Sequence, residues 1–319
     1  MLNDQVSYAT DTVADVWTTP TITLEHVDFG LTSERPRVKS GASKAGRRTQ
    51  GRWFKGLEKC AGPITHEFSP AAIPILLSQA IGAVDKTGAG PYQRVYTCGP
   101  LVETQTTSIQ GTTQDAGGVV NPMNFRGGQI AKWGLSIKND ASPVKWSAEW
   151  VAQHLLNTGD GDSVPGLFSA SYPSLWSPFT GLHAVLTLNS ALFEFDSLEF
   201  AADNGLQTGK YTARSTTPWQ AKRSKESGNR SITAVVTSDV WDITAMNRAF
   251  AGTEVPFSLA LTNGAASFTI AGNVACEPYS LTPAKQGDSA KQGLSLEFTS
   301  LTNDATAFTA TLINADALP

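Results

Sequence analysis

Gln129-Ile-Ala-Lys-Trp-Gly-Leu-Ser-Ile137 and Val144-Lys-Trp-Ser-Ala-Glu-Trp-Val-Ala152 decide the fold class. In the first segment Ala131, Trp133, Leu135 and Ile137 share one face, and Lys132 and Ser136 take the other. In the second, Val144, Trp146, Ala148 and Trp150 face one way and Lys145, Ser147 and Glu149 the other. Successive side chains of an extended strand point to opposite sides. A period of two on both flanks of a turn cluster, here Asn139-Asp-Ala-Ser-Pro143, therefore predicts a half-buried antiparallel hairpin.

The same style continues towards the C-terminus. Phe257, Leu259 and Leu261 alternate up to Asn263-Gly264, a strong hairpin signal, and Phe268 and Ile270 alternate after it. Leu294, Leu296 and Phe298 predict another strand, paired with Phe308, Ala310 and Leu312 across Thr302-Asn303-Asp304. Two short helices interrupt the β pattern. Ser69-Pro70 opens the first, whose stripe is Ile73, Leu76, Leu77 and Ala80. Pro74 suits only an initial turn, so the regular part starts there, and Gly82 ends it. The second opens at Ser238-Asp239, carries Val240, Ile243, Asn247 and Phe250 on one face with Met246 beside them, and ends at Gly252.

The helices expose an internal repeat. Pro63-Ile-Thr-His-Glu-Phe-Ser-Pro70 precedes the first helix and Ser231-Ile-Thr-Ala-Val-Val-Thr-Ser238 the second, with Ile64 and Ile232 168 residues apart. Each copy runs basic loop, Ile-Thr strand, Ser-capped helix, glycine stop, then hairpins. A Gly-, Ser- and Pro-rich stretch begins at Asn157-Thr-Gly-Asp-Gly-Asp162. The expected organisation is a first module at 1–156, a linker at 157–181 and a second module at 182–319.

Composition agrees with two β-rich units. The 319 residues fit about two domains. Hydrophobic residues are 40%, enough for a core, while charged residues are only 16% against a typical ~25%. A net charge of −4 excludes a nucleic-acid binder of the generally basic kind. Cys60, Cys98 and Cys276 are odd in number and have no CxxC spacing, which predicts buried free thiols and not a disulfide framework or zinc site. Residues 1–16 carry Asp4, Asp11 and Asp15 without an apolar stretch, unlike a secretory signal. The longest apolar run, Ala71 to Val84, is broken by Pro74, Ser78 and Gln79 and falls short of the ~20 residues of a membrane span. A soluble protein made in a cytoplasm is expected.

The candidate sites divide into one cluster and several weak signals. Arg35, Arg37, Lys39, Lys44, Arg47, Arg48, Arg52 and Lys55 fall in one stretch without an acid. Lys222, Arg223, Lys225 and Arg230 form a weaker cluster at the same place in the second copy. A solvated loop and phosphate binding are the alternatives, but recurrence at one architectural spot favours a subunit interface. Asp160-Gly-Asp162 is read as linker, since the other positions of a calcium loop are missing. Glu194 and Asp196 read as the polar face of a strand, and His26, His66, His154 and His183 as structural residues in strand-like stretches. Gly88-Ala-Gly90 is a turn outside any βαβ unit, not a dinucleotide fingerprint. No catalytic, cofactor or metal motif is found, so neither an enzyme nor a cofactor is expected.

The order of these segments resembles a known family. Thr19-Pro-Thr-Ile-Thr-Leu24, Arg47-Arg-Thr-Gln-Gly51, the run Pro63 to Gly82 and the hairpin at 125–150 are similar, in that order, to the N-terminal half of major tail tube proteins of long-tailed, siphovirus-like phages. Gly228 to Thr237, the helix to Gly252 and the closing strands to Ile313 are similar to that family's end. The resemblance implies a mainly β chain of two tandem tail-tube-type β-sandwich modules, each flanked by one short helix. Six such modules would form a ring, closing strands into one wide barrel, and rings would stack into a tube.

The function implied is a virion structural subunit, built in the host cytoplasm, whose channel conducts the genome into the host. Its partners would be the tape measure, tail terminator and distal tail proteins and itself: two module copies per chain predict a trimer with pseudo-sixfold symmetry, with a hexamer of chains as the alternative. DNA would pass without specific binding, and no membrane insertion is expected. The polar stretch from Cys98 to Arg126, too long for an ordinary turn, is expected to be mobile alone and ordered in the tube. Other readings are another β-sandwich virion or injection-tube component, or a carbohydrate-binding module using some of the eight tryptophans.

Overall fold

The computed structural model describes residues 5–11, 13, 16–39, 53–71, 73–82, 84–98, 101, 106–114, 116–172, 177–209, 211, 220–221, 224–226, 228–239, 251, 253–276, 280–282, 291–299 and 307–315. The chain is mainly β. The first half contributes β1 (Val6–Thr10), β2 (Ile22–Leu24), β3 (Asp28–Phe29), β4 (Thr32–Glu34), β5 (Arg37–Lys39), β6 (Trp53–Lys55) and β7 (Lys59–Glu67). After helix α1 (Pro74–Ile81) come β8 (Val84–Thr87), β9 (Tyr92–Thr97), β10 (Thr107–Gln114), β11 (Val120–Lys138), β12 (Lys145–Ala152) and β13 (His154–Leu155). The second half supplies β14 (Ala184–Leu188), β15 (Ala191–Leu192), β16 (Ser197–Asp203), β17 (Leu206–Gln207), β18 (Lys225–Glu226) and β19 (Ser231–Ser238). Then follow β20 (Glu254–Asn263), β21 (Ala266–Cys276), β22 (Ser280–Thr282), β23 (Lys291–Thr299) and β24 (Phe308–Asn314).

The expected central hairpin is present: Trp133 faces Ala148 and Leu135 faces Trp146, and all four are buried while Lys132, Lys145 and Glu149 are exposed. Helix α1 starts at Pro74, where a missing N–H costs nothing, and Gly82 ends it with φ 123°. The β20–β21 hairpin also forms, but Asn263 pairs with Ala266, so Gly264-Ala265 is the two-residue loop. Gly264, at φ 61°, takes the first central position, the one a type II′ turn gives to glycine.

Two expectations are corrected. β24 pairs with β21 and β9, while β23 pairs with β19, β21 and β22; among the described residues β23 and β24 do not pair with each other. The side-chain period located both strands, but long-range burial chose their neighbours. The stretch from Cys98 to Arg126 is not a long loop where it is described. Its described residues form β10 and the start of β11, where Gln110 donates to Asn124 Oδ1 at 2.7 Å inside the sheet. The expected second helix lies outside the described residues at 240–250 and 252.

Long-range order comes from one extended ladder. Across it run β3 and β4 on β7, then β12, β11, β16, β19 and β23, all antiparallel. In the first half β2, β1 and β10 lie on the N-terminal part of β11, and β13 lies on its other side. In the second half β15, β14 and β20 lie on β21, and β24 lies on its other side. Among the described residues, strand pairing crosses the expected 157–181 boundary at β11–β16 and at β9–β24. The core crosses with it: the Trp133 ring lies 5.1 Å from Phe200 and 6.1 Å from Phe308.

Candidate assembly surfaces

The long ladder has one dry face and one wet face. The dry face presents Ile64, Trp146, Leu135, Phe200, Ala234 and Leu296, all buried. Alternation leaves the other face polar. It carries Asp28, Glu34, Glu67, Glu149, Glu199, Asp203 and Glu297 against Lys59, Lys132, Lys138 and Lys145, with Ser and Thr between them.

Two antiparallel arms leave this ladder. β5 pairs with β6 between β4 and β7, and β17 pairs with β18 between β16 and β19. The candidate basic residues that the structure describes belong to these arms and their flanks. Arg37 is exposed, Lys39 is placed by its backbone in β5, and Lys44, Arg47, Arg48 and Arg52 lie outside the described residues. Arg35 and Lys55 meet at the root of the first arm. Arg35 donates to Glu58 Oε2 at 2.8 Å and to Asp160 Oδ2 at 2.6 Å, and Lys55 donates to Asp160 Oδ1 at 2.6 Å. In the second cluster Lys222 and Arg223 lie outside the described residues and Lys225 is placed by its backbone in β18. Arg230 belongs to packing: it donates to Ile81 O at 2.9 Å and Cys98 Sγ at 3.3 Å, against the end of α1.

The root network corrects the linker reading of Asp160-Gly-Asp162. His154 bridges Glu58, at 2.5 Å through Nδ1, and Asp162, at 2.7 Å through Nε2. Asn157 donates to Asp160 Oδ2 at 2.7 Å. Burial opposes the ionised carboxylate of Glu58, but His154, Ser33 and Arg35 overcome it and hold its pKa at about 2. Asp160 is likewise held below the ordinary range: burial opposes its charge, and Lys55, Asn157 and Arg35 outweigh burial. Ligand atoms of His154, Asp160 and Asp162 lie within 4.8 Å of one another. A divalent cation there would compete with Arg35, Lys55 and Asn157, which already hold both Asp160 oxygens, so the chain supplies its own cations.

The remaining weak candidates are placed as follows. His66 is buried between Tyr8 Oη, at 2.8 Å, and Glu25 O, at 2.7 Å, and burial pulls its pKa down to about 4. His183 caps a 3-10 turn, and His26 lies between β2 and β3, so neither is in a strand. Glu194 and Asp196 precede β16 and do not share a strand; they line a surface cavity with Leu192, Phe195 and Asp239. Cys60, Cys98 and Cys276 are free and buried. Trp133, Trp146 and Trp150 are buried, which removes them from any sugar-binding platform. No helix among the described residues is long and apolar enough to cross a membrane.

A polar sheet face, rooted arms and a buried apolar core describe a building block. A family profile described as phage tail tube protein matches residues 2–307. The chain belongs to the phage tail tube protein family. No curated protein matches it. The phage tail tube family is structural and not an enzyme family, and membership makes the chain a component of a virion tail. Self-assembly into a tube, in company with other tail proteins, is what that family suggests.

Proposed function

We propose that this chain is the tail tube subunit of a siphovirus-like phage, stacking in rings around a channel that conducts the genome into the host. Family membership over residues 2–307 carries the reading. The wet face of the long ladder supports it as the channel wall. Phosphate is held by dense Lys and Arg through counterion release. This face carries seven carboxylates and four lysines among its described residues, so DNA would slide past it without specific binding.

We further infer two tandem β-sandwich modules, 1–156 and 182–319, joined by 157–181. Matching strand order supports this. β1, β2, β3–β4, β7, β10, β11, β12 and β13 occupy the places taken in the second half by β14, β15, β16, β19, β20, β21–β22, β23 and β24. Thr65 pairs with Ser147 as Thr233, 168 residues on, pairs with Glu297. With two modules per chain, three chains close a pseudo-sixfold ring. Inside the chain β11 meets β16. Between chains the matching edge of β21–β22 would meet β3–β4 of the next copy, a head-to-tail contact that closes on itself and leaves no bare strand edge. Tape measure, tail terminator and distal tail proteins would be its partners, with assembly in the host cytoplasm. Of the basic residues, Arg37 to Arg52 with Lys222, Arg223 and Lys225 would serve contacts between copies, whereas Arg35, Lys55 and Arg230 are held within the chain.

Negative-stain imaging of the purified full chain tests both levels. Rings or tubes of constant diameter support the tube reading, and a monodisperse monomer at all concentrations overturns it. Ring averaging without imposed symmetry then separates three chains from six.

A further inference from the structure

The strands β1–β2 and β14–β15 hold matching places in the two halves and are covered differently. In the first half Val6, Tyr8, Ala9, Ile22 and Leu24 are all buried. The end of β1 and the approach to β2 share a cavity with α1 and the β8–β9 hairpin: Ala9, Thr10 and Thr21 line one side, and Ile75, Val84 and Tyr96 the other. The hairpin reaches from there to the second half, where β9 pairs with β24. In the second half the matching strands leave apolar side chains bare. Val185 is 49% and Leu192 69% exposed, and Leu182, just before β14, is 68% exposed. Chain length explains the difference. Residues 68–106, between β7 and β10, provide α1, β8 and β9, whereas residues 239–253, between β19 and β20, leave room for a short helix and not for a hairpin as well.

The other side of the hairpin has a counterpart too. β13 holds the place of β24, and Leu155-Leu-Asn157 echoes Leu312-Ile-Asn314. Beside β24 stands β9, whose Arg94 Nη1 donates to Asn314 Oδ1 at 2.6 Å. Beside β13 stands the turn that follows it. Leu155 N–H donates to Glu58 Oε1 at 3.2 Å, Asn157 Nδ2 donates to Leu155 O at 3.1 Å, and the same amide donates to Asp160 Oδ2. Glu58, His154, Asp160 and Asp162 thus hold the turn where β9 would be, and Thr158, Gly159, Gly161, Ser163 and Val164 are exposed on it. Charge suits a contact between the two surfaces. Glu194, Asp196 and Asp239 line a cavity with Val185 and Leu192, while Lys55, bonded to Asp160 of the turn, keeps 54% of its side chain exposed.

We propose that the β14–β15 end of one copy packs on the 157–164 turn of the next copy, which covers Leu182, Val185 and Leu192 as β8–β9 covers β1–β2 within the chain. This rests on the ring reading above. Inside the chain the β1–β2 end of the first half meets the β24 side of the second by way of the hairpin. Moved on by one module, the same relation sets β14–β15 against the β13 side of the next copy, where the turn replaces the missing hairpin. A bare apolar patch with a polar rim is the usual mark of such a contact. The buried network at the arm root then has a use beyond stability, since it shapes the receiving surface before the copies meet.

Site-specific photo-cross-linking in assembled tubes tests it. A benzophenone amino acid replaces Leu192 in one preparation and Val84 in another, and light and heavy isotope-labelled chains are mixed before assembly. Val84 should link within one chain, to residues near 9–10 or 18–21. Leu192 should link between chains, to residues near 157–164. The double substitution Thr158→Glu and Ser163→Glu, at two exposed positions, should lower the Leu192 yield several-fold and leave the Val84 yield unchanged. Interchain links from Leu192 to other regions, links only within one chain, no link in well-formed tubes, or a yield untouched by the double substitution would overturn the docking and leave the tube reading intact. If the unsubstituted chain forms neither rings nor tubes, both fall.

Discussion

Glu58 shows how much one buried carboxylate organises. Its Oε2 receives Arg35 and His154, and its Oε1 receives Ser33 Oγ at 2.8 Å and Leu155 N–H at 3.2 Å. Glu58→Gln turns an amide N–H₂ or a weaker acceptor towards the four donors that converge on the carboxylate. Breaking such a buried pair costs on the order of 3–5 kcal/mol, so a large drop in denaturation midpoint is expected in a chemical unfolding series. The pH dependence has a definite sign. A carboxylate that titrates at about 2 folded and 4.5 unfolded contributes its stability above 4.5 and loses it as pH falls towards 2. Unfolding curves between pH 5 and pH 2 should therefore show the native protein losing an acid-sensitive increment that E58Q lacks; parallel curves would remove the assignment. None of this network was legible in the sequence. His154 is 96 residues from Glu58, and Arg35 is 125 from Asp160, so no local spacing announces either pair. A clue was available in Asp160-Gly-Asp162, whose charges suit a fixed loop better than a tether. By contrast, the buried roles of His66 and the cysteines were legible, because their neighbours in sequence are apolar or strand-forming.

Elements whose signal is local followed the sequence closely. Period two gave the central hairpin, and Pro74 with Gly82 gave both ends of α1. Elements whose neighbours are distant did not: nothing near Phe308 says that its strand lies beside β9. The same contrast appears at Gly181, in a segment read as linker. Its N–H donates to Ser142 O, and a Cβ built there would lie 1.5 Å from Lys138 O. The turn that starts β14 is thus pressed against the tip of the β11–β12 hairpin, with backbone and not a flexible side chain in the way. Gly181→Ala should destabilise by about 1–3 kcal/mol, the usual cost of overpacking, and calorimetry should record a lower Tm. An unchanged Tm would show that the seam yields more readily than its contacts suggest.

For the whole molecule, the decisive fact is that hydrogen bonding ignores the expected boundary. The first half alone would expose the β11 edge that β16 covers, and the second would lose β9 from β24. Trp133, Phe200 and Phe308 would be stripped of partners from the other half. Fragments 1–170 and 178–319, expressed separately, should therefore aggregate or melt without a cooperative transition, and should regain one when co-expressed. A sharp, independent transition for either fragment would show that its half is self-sufficient. The β9–β24 ladder also has a consequence for synthesis. β9 leaves the ribosome about 210 residues before the strand that covers it. At roughly 5–20 residues per second the wait lasts on the order of 10–40 s, during which one side of Tyr92–Thr97 is available to any passing strand. Arg94 on β9, with Asp85 and Lys86 on its partner β8, discourages such encounters in the manner of charged sheet edges. A polypeptide cut short before residue 308 keeps that side bare, so the protection of an early strand waits on one made some 210 residues later.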